Sequence, residues 1–212
     1  MDSGFWHEKW TQKELGFHRS QPNPLLVKHF DKLGLSPDSR IFLPLCGKTR
    51  DISWLLGHGY RVVGSELVAT AVDQLFEELD IVPTISQSGQ LLRYSAHHID
   101  IHVGDIFELD QALLGHVDAI YDRAALVALP EQMRTRYAKH LMAISETAPQ
   151  LLITFEYDQT VMNGPPFAVD AAEVSRHYDE HYEVSLVSNT AVEGGLKGQF
   201  AADELVWVLN KN

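Results

Sequence analysis

Residues 41–66, IFLPLCGKTRDISWLLGHGYRVVGSE, contain the β-α-β unit from which the class of fold follows. The apolar run 41–43 is too short for a helix, and both of its faces are apolar, as a central parallel strand requires. A helix then extends to the glycine-containing stop at 57–59, and residues 60–65 form the next strand. This alternation predicts a mostly parallel sheet flanked by helices.

The same alternation continues along the chain, and no domain boundary interrupts it. We therefore expect residues 1–212 to form a single domain. The pattern predicts helices at 24–33, 67–79, 130–148 and 171–178, one or two short strands within 91–103, and strands at 117–121, 151–155, 182–191 and 204–209. Residues 85–89 are predicted to form a turn. The last two strands follow each other directly, which indicates an antiparallel hairpin at a sheet edge.

Charge and composition exclude several classes of protein. Seventeen basic against 29 acidic residues give a net charge of −12, and the basic residues are scattered, which argues against a nucleic-acid-binding surface. No apolar run approaches the roughly eighteen residues of a membrane span. The lone Cys46 cannot form an internal disulfide, and residues 1–20 lack an apolar signal core, so we expect a cytoplasmic protein. No long apolar stripe is left over, which favours a monomer.

Two carboxylates follow successive strands of the predicted sheet. Ligands of open α/β sheets bind at the carboxyl ends of the strands, where a carboxylate about twenty residues beyond the first turn can bind a ribose. Glu66 fits this role because it lies that far from Leu45, at the tip of the second strand; an N-terminal helix charge is the alternative. Asp105 follows the third strand and is either an adenine contact or a turn aspartate.

The first turn, residues 45–50, has a single glycine, Gly47, where the dinucleotide-binding fingerprint has three. The missing glycines argue against a pyrophosphate on the helix N-terminus. Together with Glu66 and Asp105, this turn predicts a cofactor that carries adenosine but no pyrophosphate.

Four separated motifs resemble the thiopurine S-methyltransferase family, in its bacterial form. They are the opening Phe5–Trp10 with Gly16–His18, then Leu43–Lys48, Asp122–Leu129 and Gly164–Phe167. The resemblance covers essentially the whole chain and implies a class I S-adenosyl-L-methionine-dependent methyltransferase fold: a Rossmann-like α/β domain with a seven-stranded, mostly parallel sheet, flanking helices and an antiparallel last strand. It also implies S-methylation of small aromatic or heterocyclic thiols such as thiopurines, and it links bacterial members to selenium or tellurium species and metalloid resistance.

The resemblance assigns site residues as well. Carried over residue by residue, the cofactor contacts fall on Trp6, Trp10, Leu45, Glu66, Asp105, Ile106 and Arg123. Phe17 falls on an aromatic wall of the substrate pocket. Pro166 and Phe167 are expected to form another wall, because their turn follows the fifth strand at the same sheet edge; a rigid turn without a binding role is the alternative. Residues 1–20 are expected to be a lid whose tryptophans face the sulfonium, and packing of this segment onto the domain is the alternative.

Arg123 is the predicted catalytic residue. Its guanidinium can pair with the methionine carboxylate or with an anionic acceptor, and it remains charged at every relevant pH. A salt bridge with Asp122 is the alternative. Methyl transfer from a sulfonium to sulfur depends mainly on positioning, so no covalent residue, metal or obligatory base is expected.

Other constellations carry less weight. Cys46 precedes a helix, but no nearby His or Asp completes a nucleophile arrangement. The histidines within 97–102 and 177–181 lack the converging third or fourth ligand of a zinc site. Two other functions stay open. The one-glycine turn disfavours a nicotinamide-dependent oxidoreductase, and the intact set of Glu66, Asp105 and Arg123 disfavours a noncatalytic S-adenosylmethionine-binding protein.

Overall fold

Nine β-strands form one mixed sheet in residues 21–212, the part of the chain that the computed structural model describes. The strands are β1 (Arg40–Leu43), β2 (Arg61–Glu66), β3 (Thr84–Ser88), β4 (Leu91–Ala96), β5 (Ile99–Val103), β6 (Ala119–Arg123), β7 (Gln150–Glu156), β8 (Tyr182–Ala191) and β9 (Asp203–Lys211). Their order across the sheet is β3-β4-β5-β2-β1-β6-β7-β9-β8. The five strands from β5 to β7 run parallel, whereas β9 is antiparallel to both of its neighbours, as predicted for the last strand.

Six α-helices cover the two faces of this sheet within the described residues. They are α1 (Pro24–His29), α2 (Arg50–Gly57), α3 (Ala69–Glu78), α4 (Gln111–Leu114), α5 (Glu131–Ser145) and α6 (Ala171–Tyr178). Ile41 and Leu43 of β1 belong to a buried cluster with side chains of α1, α2 and α3, whereas Phe42 belongs to the cluster of α4, α5 and α6. The predictions of a central strand buried on both faces and of flanking helices are confirmed.

The sheet has two more strands than the seven that the resemblance implies, and the additional strands lie at one edge. Residues 84–88, which overlap the segment 85–89 predicted as a turn, form β3, which pairs with β4 as an antiparallel hairpin. The prediction failed because β3 is an edge strand whose side chains are almost all exposed, so its sequence lacks the apolar alternation of a half-buried strand. The late hairpin of β8 and β9 is confirmed, with β8 at the opposite edge and β9 inside it.

Asp51 joins three elements behind the carboxyl ends of the strands. Its buried carboxylate accepts the Asn23 N–H (2.7 Å) at the start of α1 and the Tyr121 hydroxyl (3.0 Å) of β6. Burial and the nearby Asp51 charge raise the pKa of Tyr121 well above its usual value, so the hydroxyl remains a donor. This contact ties the start of α1 to α2 and β6.

His102 is a buried titratable group on β5. Its side chain is 1% exposed, and neither ring nitrogen has a hydrogen-bond partner among the described residues. Burial lowers the pKa of His102 to about 4; the positive charges of Arg93 and Arg40 act in the same direction, while Asp100 opposes them. The imidazole is therefore neutral in the folded protein at neutral pH.

We expect His102→Leu to protect the fold against acid. Because the folded-state pKa lies below the unfolded value of 6.5, the unfolded chain binds more protons between pH 6.5 and 4, and the wild type loses stability as the pH falls through this window. The variant lacks this loss. Its free energy of unfolding, relative to that of the wild type, should therefore increase by about 1–2 kcal/mol as the pH falls from 7 to 5. Urea unfolding at both pH values measures the difference. His97→Leu, the same exchange on an exposed side chain, is the control, and parallel pH profiles of wild type and His102→Leu would contradict the expectation.

Candidate functional site

The segments that follow β1, β2 and β5 meet at the carboxyl edge of the sheet. The Cys46 N–H after β1 donates to the Ser65 carbonyl (2.9 Å), and the Gly104 N–H after β5 donates to the Glu66 carbonyl (2.9 Å). These backbone bonds bring the segments that carry the predicted cofactor residues Leu45, Glu66 and Asp105 together at one place, which we call the edge crevice.

Glu66 is the central acidic group of the edge crevice. Its carboxylate is 6% exposed; Oε2 accepts the Gly47 N–H (2.8 Å) and Oε1 accepts the Val68 N–H (2.9 Å). Burial raises the pKa of Glu66, although the bonds from Val68, Gly47 and Leu67 lower it. A carboxylate has about four lone-pair sites, and these three N–H groups use three of them, so Glu66 can still accept a hydroxyl group.

The first turn lies close against β2 because position 64 has no side chain. A Cβ on Gly64 would lie 2.7 Å from Ile101 Cδ1 and 2.9 Å from Cys46 Sγ, both too close. Leu45 and Gly47 have positive φ angles of 47° and 54°, which gives the turn its tight path. Gly64 was not among the predicted site residues, although a glycine inside a strand often indicates a close approach of another segment.

Asp105 caps the short 3₁₀-helix Ile106–Glu108 that follows β5. One carboxylate oxygen accepts the Phe107 N–H (3.1 Å), which is the geometry of the alternative, the turn aspartate. Ile106 is buried and belongs to the apolar cluster beneath the crevice. A Cβ on Gly104 would lie 2.5 Å from Leu91 Cδ2, so only glycine fits where the chain leaves β5.

Arg123 and Asp122 end β6 and, as neighbours on a strand, point to opposite faces. The Asp122 carboxylate is fully buried and accepts the Tyr137 hydroxyl (2.7 Å) and the Leu126 N–H (3.1 Å). Burial raises the pKa of Asp122 to about 6, against the opposing effect of these hydrogen bonds. Asp122 therefore fixes the loop after β6, next to the half-buried Arg123.

Pro166 and Phe167 lie beside that loop. The Phe167 N–H donates to the Val127 carbonyl (2.6 Å), in the segment that Asp122 holds. The Tyr157 hydroxyl donates to the Pro166 carbonyl (2.7 Å), and the Arg134 guanidinium lies 5.9 Å from the centroid of the Phe167 ring. The structure thus brings the predicted substrate wall next to the loop that carries Arg123.

Trp6, Trp10, Phe17 and the predicted lid of residues 1–20 lie outside the described residues. Within residues 21–212, no group of three or more His, Cys, Asp or Glu side chains is arranged to hold a metal ion. No helix in the same range is long and apolar enough to span a membrane.

Comparison with known proteins identifies the family. The family model described as Thiopurine S-methyltransferase (TPMT) matches residues 1–212. The chain belongs to the thiopurine S-methyltransferase family. It is 52% identical to the thiopurine S-methyltransferase of Xanthobacter autotrophicus over 212 residues, which cover 100% of both chains. It is 50% identical to that of Teredinibacter turnerae over 212 residues, covering 100% of this chain and 99% of the relative.

Solved structures share the fold of this methyltransferase. The 1,6-didemethyltoxoflavin-N1-methyltransferase of Burkholderia thailandensis, solved with bound S-adenosylhomocysteine, has a TM-score of 0.67 at 16% identity, covering 99% of this chain and 86% of that one. A TehB-like SAM-dependent methyltransferase from Corynebacterium glutamicum has a TM-score of 0.58 at 15% identity, covering 99% and 98%. The predicted fold class is confirmed. The enzyme is an S-adenosyl-L-methionine-dependent methyltransferase that acts on a small molecule, and the nicotinamide alternative has no support.

Cys46 should resist alkylation in the folded methyltransferase. Burial and the nearby Glu66 charge raise the pKa of the Cys46 thiol well above its usual value, so the reactive thiolate is disfavoured. Because Cys46 is the sole cysteine, the intact mass after treatment with iodoacetamide at pH 8 reports on it alone. We expect no adduct on the native protein and complete modification in 8 M urea, which is the internal control. Rapid labelling of the native protein would contradict this expectation and reopen the nucleophile hypothesis.

Proposed function

We propose that this enzyme transfers the methyl group of S-adenosyl-L-methionine to the sulfur of small aromatic or heterocyclic thiols, including thiopurines, and to inorganic selenium or tellurium species. The observation that carries the proposal is the match over the whole chain to relatives named thiopurine S-methyltransferase. The contact between Phe167 and the loop after Arg123 supports an acceptor pocket in which an aromatic wall adjoins a cation.

The cofactor fits the edge crevice by its chemistry. Glu66 is a buried carboxylate with spare acceptor capacity, which suits the hydroxyl groups of a ribose. We assign the ribose to Glu66, the adenine to Asp105 and Ile106, and the methionine end to Leu45 and Arg123. Trp6 and Trp10 remain predicted contacts of the sulfonium from the proposed lid, and Phe17 remains a predicted wall of the acceptor pocket.

The protein mainly positions the reacting groups. When bound, S-adenosyl-L-methionine supplies an electrophilic methyl group and a neutral thioether as the leaving group. Arg123 lowers the pKa of the acceptor thiol by stabilising its thiolate, and the thiolate loses its charge when the new bond to carbon forms. Asp122 binds Tyr137 and the Leu126 N–H, which holds the backbone at the end of β6 that carries Arg123. No general base is needed for an acceptor that ionises near neutral pH.

We also propose that the enzyme works as a cytoplasmic monomer, takes no nucleic acid or membrane as a partner, and confers metalloid resistance. The net charge of −12 disfavours polyanionic partners. A single reduced cysteine, buried against Gly64, suits a reducing compartment.

The direct test is transfer of radiolabelled methyl from S-adenosyl-L-methionine to an aromatic thiol, a thiopurine, hydrogen selenide and hydrogen telluride. We expect label on sulfur and none on the matching hydroxyl compound. Arg123→Ala should lower kcat/KM for the thiol about 10- to 100-fold, because a charge-assisted contact is lost, and Arg123→Lys should lower it less. Arg61→Ala, an exposed arginine at the start of β2, is the control and should keep full activity.

Two results would count against this proposal. Failure to label any sulfur, selenium or tellurium acceptor would overturn the assigned acceptor class. Unchanged turnover of Arg123→Ala at unchanged thermal stability would remove Arg123 from the site.

Glu66→Gln should weaken binding of S-adenosylhomocysteine about 10- to 100-fold, as measured by titration calorimetry. The variant also disturbs the bonds to Gly47 and Val68, so a second ligand separates the two effects. The 2′,3′-dideoxyribose analogue should bind wild type and variant with more similar affinities, because the hydroxyl contacts are then already missing. Glu77→Gln, the same exchange on an exposed part of α3, is the control. Equal losses with both ligands would show that Glu66 acts only through the turn.

A further inference from the structure

The exposed side chain of Gln159 makes three hydrogen bonds within the segment that follows β7. Gln159 Nε2 donates to the Tyr157 hydroxyl (3.0 Å) and to the Met162 carbonyl (2.6 Å), and its Oε1 accepts the Ala168 N–H (2.8 Å). An exposed glutamine ordinarily has water to satisfy these groups. Here all three bonds join parts of the same irregular segment.

Tyr157 connects Gln159 to the predicted acceptor wall, Pro166 and Phe167. Its hydroxyl accepts from Gln159 and donates to the Pro166 carbonyl at 2.7 Å. Pro165 and Pro166 have no N–H groups, so only their carbonyls can anchor this part of the backbone by hydrogen bonds. The bond from Tyr157 therefore anchors a part of the chain that has no amide donor.

The other side of the same wall contacts buried residues of the domain core. Phe167 is bound through its N–H to Val127, and its ring lies near Arg134. Arg134 is 4% exposed and donates to Glu173 Oε2 (3.0 Å) and to the Leu129 carbonyl (3.1 Å). Because this side is fixed by the buried core, the side held by the half-buried Tyr157 and the exposed Gln159 is the one that can vary.

We propose that Tyr157 and Gln159 are positioning residues that fix the Pro166–Phe167 wall and thereby determine the affinity for the methyl acceptor without affecting the cofactor. The inference rests on the proposed function, because it takes this wall as part of the acceptor pocket. Neither residue belongs to the predicted cofactor set, and the hydrogen bonds described above connect both of them to the wall rather than to Glu66 or Asp105.

The test compares Tyr157→Phe with Tyr182→Phe. Both changes remove one hydroxyl that donates to a backbone carbonyl. Tyr182, however, donates to Ala148 (2.9 Å), which precedes β7 and therefore lies at the amino end of this strand, away from the carboxyl edge. Tyr157→Phe should raise KM for the aromatic thiol about 3- to 10-fold and leave KM for S-adenosyl-L-methionine and kcat within about twofold of wild type. Tyr182→Phe should leave all three unchanged. Gln159→Ala should act like Tyr157→Phe, and the double variant should be no worse than either single variant, because the two residues act in series.

Hydrogen exchange provides a measurement that needs no turnover. Gln159→Ala should speed exchange of the Ala168 amide, since that N–H loses its acceptor, and Tyr182→Phe should not. Absence of methyl transfer by the wild type would overturn the proposed function alone. The exchange data would still test whether Gln159 holds the segment after β7. With an active wild type, the positioning role is overturned if Tyr157→Phe matches Tyr182→Phe in acceptor KM, or if it raises the cofactor KM equally. Unchanged exchange at Ala168 in Gln159→Ala would show that Gln159 does not hold this segment, and would overturn its positioning role.

Discussion

The carboxylate of Glu66 accepts backbone N–H bonds from two segments at once, and the edge crevice depends on this contact. Gly47 follows β1 and Val68 precedes α3, so a single side chain joins the first turn to the end of the second strand. Burial alone would disfavour a charged carboxylate, and the N–H donors offset that cost. The turn and the acid thus stabilise each other before any ligand binds, which makes the crevice preorganised.

Other carboxylates that follow strands also accept backbone N–H groups along the carboxyl edge. Asp105 accepts the Phe107 N–H after β5, and Asp122 accepts the Leu126 N–H after β6. Each acid satisfies a donor at the start of a short helix or loop, where the backbone has no partner of its own. Acidic residues placed directly after strands therefore shape the segments that surround the site, and Glu66 and Asp105 are in addition proposed to bind the cofactor.

The sequence predicted what depends on periodicity and on spacing between elements. The burial of β1 on both faces and the place of Glu66 at the end of β2, beside the first turn, follow from strand length and the crossover helix, and both were predicted correctly. The binding of a ribose by Glu66 stays a prediction. The strand β3 was missed because an exposed edge leaves no apolar pattern. The sequence did not predict the contacts of Tyr157 and Gln159 for another reason: apart from the bond between them, their partners are backbone atoms of an irregular segment, and no residue pattern indicates such bonds.

The position of β9 between β7 and β8 has a consequence for how the chain reaches this structure. β8 is synthesised before β9, yet its ladder partner in the sheet is β9. β8 can therefore enter the sheet only as a hairpin with β9, or after β9 has paired with β7. Because β8 is synthesised first but has no partner other than β9, a nascent chain presents β8 as an unpaired strand until the residues of β9 emerge.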